Sequence, residues 1–154
     1  MKKKTLLAIF IAVCFLALIA TIYLTVVHYD TSSFGTHICD ISVRWSCSDV
    51  SYTKYAYFFD VPVAVWGLIT YIFLLVVSFV LYPNYDLKKL NKEFKSQHIY
   101  ELLFYVTGFG VLFSLYLTVI EAFVIKTFCL FCVIQQVLII ILFILALIMR
   151  RMKD

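Results

Sequence analysis

The chain has 154 residues, 64% of them hydrophobic and only 14% charged, where a water-soluble globular domain carries roughly 25% charged residues. That balance excludes an ordinary soluble domain and makes lipid the expected solvent. The net charge of +4 is no sign of nucleic-acid binding, because the basic residues flank apolar runs and form no stripe interleaved with base-stacking aromatics.

Four apolar runs, approximately Thr5–Val27, Val61–Tyr82, Tyr100–Phe123 and Phe128–Met149, are each long enough to cross a hydrocarbon core of roughly 30 Å as a helix. The first follows Lys2, Lys3 and Lys4 and so resembles the start of a signal peptide. It is too long for one, about 23 residues against the roughly 7–15 of a signal core, and no small-residue cleavage site closes it before His28. The runs leave little sequence for anything else. We therefore expect a single domain over residues 1–154: an all-α integral membrane protein, a bundle of four transmembrane helices with an outward-facing cap between the first two.

The cap is expected over His28–Asp60. Within it Val50, Tyr55, Phe58 and Phe59 are placed to lie along the bilayer surface as a half-helix, with Pro62 where a first helical turn tolerates proline. The loop from Pro83 combines turn formers with mixed charges and reads as a linker or short amphipathic helix. Ten of the thirteen Lys and Arg residues lie in the N-terminal segment, this loop (Lys88, Lys89, Lys92, Lys95) and the C-terminal tail (Arg150, Arg151, Lys153). Only Arg44, Lys54 and Lys126 lie on the other side. The positive-inside rule then predicts a multi-pass protein of the inner (cytoplasmic) membrane, with both termini cytoplasmic and the cap outside.

Five cysteines divide by position. Cys14 lies mid-helix, where a free cysteine behaves as a small hydrophobe. Cys129 and Cys132 form a C-x-x-C at the outer start of the fourth run. Unpaired N–H groups at a helix start stabilise anions, and the thiolate is the form that attacks a disulfide or an electron-poor ring. The fourth helix runs inward, so Cys132 should lie deeper, toward any quinone in the bilayer, and Cys129 nearer water. Cys39 and Cys47 lie in the outer segment, where a pair able to swing would connect a soluble thiol protein with Cys129 by direct exchange. Two inert structural disulfides, or a four-cysteine zinc site, are the competing readings of the same residues.

These residues resemble the vitamin K epoxide reductase family in its shorter bacterial-type form, without a fused thioredoxin-like domain. The likeness runs through Cys39 and Asp40, then Cys47, Ser48 and Val50, a hydroxyl six residues after Cys47 (Thr53), then Val61, Pro62, Ala64 and Gly67. It continues with Ser114, Leu115, Tyr116, Leu117 and Glu121, and ends at Phe128, Cys129 and Cys132. The order of the cysteine pairs is reversed relative to disulfide oxidases of the DsbB type. The resemblance implies a pocket for a ubiquinone- or menaquinone-type quinone beside Cys132, with Thr53 and Trp66 as candidate binding residues. It also implies a relay in which Cys47 exchanges with Cys129 while Cys39 meets the partner, a DsbA-like thioredoxin-fold oxidase of exported dithiols. Thr53 stands where the family usually has Ser, and Gln136 replaces a Tyr of animal members, which weakens a role in vitamin K epoxide reduction. The expected activity is quinone-dependent thiol/disulfide oxidoreduction in support of disulfide formation. Its rivals are a thiol-driven quinone or vitamin K (epoxide) reductase and a non-catalytic tetraspan scaffold.

Overall fold

In a computed structural model, residues 3–29, 39–82 and 96–152 are described. Most of the loop expected at 83–99, residues 83–95 with its four lysines, and the first part of the outer segment, residues 30–38, lie outside the described residues, as do Lys2 and Lys153; the loop's last residues, from Ser96, already belong to a helix.

Four long helices form the bundle: α1 (Lys3–Tyr29), α3 (Val63–Leu81), α4 (Ser96–Ile120) and α5 (Leu130–Arg151). Each has the length and apolarity to cross a membrane. Their sequences are apolar on all sides, as lipid-facing helices are, and many large side chains are exposed, among them Phe15, Leu16, Phe109 and Leu112. α1 packs against α3 and α5, and α4 packs against α5. The core between them is built from Leu6, Phe10, Cys14, Leu74, Leu103, Leu142 and Met149. Cys14 is wholly enclosed there, a packing residue. At one end of the bundle the Lys3 ammonium lies 5.4 Å from the Tyr100 ring centroid and the Arg150 guanidinium 4.7 Å from that of Phe104. The other four cysteines gather at the opposite end.

Without a hydrophobic force between helices in lipid, close contact depends on small residues. A Cβ at Gly110 of α4 would stand 3.0 Å from Ile139 Cγ1 on α5. Gly110→Val is therefore expected to push these helices apart and cost about 1–3 kcal/mol, read as a lowered thermal midpoint in detergent.

The cap departs from the expected half-helix. Among its described residues after α1, only Cys47–Ser51 is α-helical (α2), followed by a 3-10 turn at Lys54–Ala56 and a hairpin of β1 (Tyr57–Phe58) and β2 (Val61–Pro62). The aromatic and β-branched run from Tyr57 to Val61 favours extended backbone over helix. Phe59 and Asp60 close the hairpin with φ of 53° and 60°, the left-handed pair of a two-residue turn. Two hydrogen bonds moor it: Trp66 Nε1 on α3 donates to the Phe58 carbonyl at 3.1 Å, and His28 Nε2 on α1 lies 3.1 Å from the Tyr57 hydroxyl.

Candidate functional site

Cys47 and Cys129 are 82 residues apart, and paired backbone brings them together. The Phe128 N–H donates to the Arg44 carbonyl at 2.8 Å and the Ser46 N–H donates to the Phe128 carbonyl at 3.1 Å. The rings of Trp45 and Phe128 lie over this short parallel bridge, 5.7 Å apart. The residue after each paired strand is a cysteine, so the two sulfurs meet. Cys39 and Cys47 form a disulfide, Cys129 and Cys132 are thiols, and Cys47 Sγ lies 3.0 Å from Cys129 Sγ.

The expected swinging pair is instead enclosed: Cys39, Cys47 and Cys129 are all 0% exposed, packed among Leu24, Val50, Ile125 and Phe131. A hydrogen-bonded cage fixes the loop between Cys39 and Cys47. Ser46 Oγ donates to Asp40 Oδ1 at 2.9 Å, Ser48 Oγ to Asp40 Oδ2 at 2.6 Å, and the Asp49 N–H to Ser46 Oγ at 3.2 Å, capping α2. Partial burial pushes the Asp40 carboxyl upward. The hydroxyls of Ser48 and Ser46 and the backbone N–H groups of Ser48 and Cys47 outweigh it and hold the group below the usual carboxylate range. A folded-state value below the unfolded one stabilises the cage above the usual carboxylate range, and that stabilisation is lost as pH falls through the folded value. Asp40→Asn is expected to open Cys39–Cys47 to a phosphine reductant roughly tenfold faster at pH 7. Wild type should approach that rate only in strong acid, where phosphines still reduce disulfides.

Cys129 is the N-cap of α5, and its sulfur accepts the Cys132 N–H at 3.3 Å. Cys132, a turn further in, faces a cavity of about 530 Å³ between the helices and the cap. Ring-bearing ligands fill pockets of this size and apolar character. Thr53 and Trp66 both line it, Thr53 with its Oγ1 donating to the Val50 carbonyl at 2.8 Å. So do His28, Thr118, Glu121 and Gln135.

Glu121 was legible in the sequence only as part of a family pattern. α4 ends in one turn of π-helix, Glu121–Ile125, a distortion often found at functional sites. It turns the Glu121 side chain onto the C-x-x-C, where Oε2 accepts the Cys129 N–H at 3.3 Å and the carboxyl also bonds the Cys132 thiol. Glu121 is 4% exposed, and no ion pair holds it among the described residues. A carboxyl group sealed at membrane depth without a cation has few structural uses.

The sulfurs of Cys39, Cys47 and Cys129 lie within 4.8 Å of one another, near enough to share a metal ion. Two of the three are spent on each other in the disulfide. A structural zinc ion needs four ligands, and its cysteine ligands bind as thiolates, so this oxidised form does not suit one.

A search of curated proteins finds no match to the chain. Residues 8–147 match the model of the vitamin K epoxide reductase family, whose members are oxidoreductases that act on quinone-type or vitamin K substrates. That match takes in most of each of the four helices, the cap and every cysteine of the site, and the chain accordingly belongs to the vitamin K epoxide reductase family.

Proposed function

We propose that this protein passes electrons from exported thiol proteins to a membrane quinone and so supports disulfide formation outside the cell. The observation that carries this reading is the contact of Cys47, already bonded to Cys39, with Cys129, while Cys132 opens onto the cavity. The lysine- and arginine-rich end faces the cytoplasm and the sulfur end faces out, as the charge distribution favours.

A thioredoxin-fold dithiol attacks Cys39, releasing Cys47 as a thiolate. Cys47 attacks Cys129 of an oxidised Cys129–Cys132 pair and releases Cys132. The partner's second thiol then frees Cys39 and leaves the partner oxidised, and Cys39 attacks Cys47 to release Cys129. The pairing present in the structure is the product of that sequence, an oxidised Cys39–Cys47 beside two thiols. In the last step the Cys129–Cys132 disulfide forms, and two electrons and two protons pass to the quinone. Glu121, touching Cys132 and lining the cavity, takes the Cys132 proton and returns it to a ring oxygen.

Anaerobic mixing of the reduced, purified protein with a short-chain quinone tests the reading. Two equivalents of quinol per chain are expected, one from the Cys129–Cys132 dithiol and one relayed to it from Cys39 and Cys47. No quinol formation, with both disulfides resistant to strong reductant, would favour a structural scaffold.

A further inference from the structure

One residue lining this cavity carries a buried polar atom with no hydrogen-bond partner among the described residues. Gln135 lies on α5 three residues beyond Cys132, on the same face, and lines the same cavity. Its Nε2 donates to the Ala17 carbonyl at 2.8 Å and to Thr21 Oγ1, both on α1. These contacts fix which way round the amide sits, because turning it over would set its oxygen against the Ala17 carbonyl oxygen. Oε1 is buried and receives no hydrogen bond. A buried, unsatisfied amide oxygen is rare enough in folded proteins to require an account.

What it lacks is a donor. The two N–H groups at the start of the C-x-x-C are already used, Cys129's by Glu121 and Cys132's by the Cys129 sulfur. Within the thiol–quinone reading above, on which this inference rests, the two forms of the ligand differ in the one property that matters. A quinone presents only carbonyl acceptors, whereas a quinol presents two O–H donors. We propose that Gln135 Oε1 distinguishes the redox states of the ring, accepting a hydrogen bond from quinol and having none to offer quinone.

The balance is simple: two thiols and a quinone become a disulfide and a quinol, both electrons and both protons ending on the ring. The hydroxyl that Gln135 accepts exists only after that transfer, so the contact favours electron arrival. A tenfold preference for quinol raises the potential of the bound quinone by about 30 mV, which assists the oxidase direction.

The test uses the whole protein in detergent, turned over with dithiothreitol and a short-chain benzoquinone or naphthoquinone. Inhibition constants are measured for the corresponding quinol and for its di-O-methyl ether, which keeps the ring and loses the donors. Wild type should bind quinol roughly tenfold more tightly than the ether. Gln135→Met should close that gap by weakening quinol alone. Thr21→Val removes a partner of Nε2 and leaves Oε1 in place, so the gap should persist. Equal constants in wild type, or a gap retained in Gln135→Met, would overturn the proposal. If Gln135→Met does not fold, the wild-type comparison still decides. An absence of turnover with any quinone would remove the thiol–quinone reading and this inference with it, whereas turnover with equal constants removes only the inference.

Discussion

Cys132→Ala is expected to abolish quinone reduction, by more than about 10³-fold, even when dithiothreitol bypasses the outer pair, because the sulfur facing the cavity is gone. The same variant should accumulate a Cys47–Cys129 bond. Cys129 lies 3.0 Å from Cys47, and without Cys132 their bond can no longer be opened from the Cys129 side, only by Cys39. Cys47→Ala should instead trap the soluble oxidase on Cys39, and Cys14→Ala, deep in the core, should do neither. Mass spectrometry of alkylated, non-reduced peptides reads each bond directly. Cys39 bonded to Cys129, with the partner on Cys47, would reverse the order of the relay.

Glu121→Gln should slow quinone reduction by about 10²-fold, the scale of losing one positioned proton-transfer group. The amide keeps an oxygen for the Cys129 N–H, so local packing survives and the chemical contribution is isolated. Exchange between Cys47 and Cys129 should continue at the wild-type rate, since Glu121 serves the cavity side. Rapid mixing that follows quinol and the internal disulfide separately checks both halves. Loss of both together would make Glu121 a structural support rather than a proton carrier.

The membrane helices were legible because their signal is additive: some twenty apolar residues in a row register whatever packs around them. Observed ends differ from expected ones by only a few residues, as at α3, which begins at Val63 rather than Val61. The cap was not legible in the same way. A half-helix and a hairpin both bury Val50 and present aromatics to an interface, and only the left-handed pair Phe59 and Asp60 separates them. Nor does sequence spacing reveal that Arg44–Ser46 pairs with Phe128, since that register is chosen by two rings and three peptide groups far apart in the chain. The enclosure of Cys39 follows from the same pairing and from the Asp40 cage. Gln135 was invisible for a different reason: a polar residue in an apolar helix gives no indication of which of its two amide ends remains unsatisfied.

That α5 begins on a sulfur decides which replacements can be interpreted. In the proposed relay Cys129 Sγ carries electrons, and it is also the acceptor that holds the first turn of the helix. Alanine there removes both functions at once, and the lost cap alone is worth about 1 kcal/mol. Serine keeps an acceptor at nearly the same place while ending the redox chemistry. A Cys129→Ser protein that stays folded yet transfers no electrons would report on chemistry, whereas the same inactivity in Cys129→Ala would confuse a broken circuit with a frayed helix.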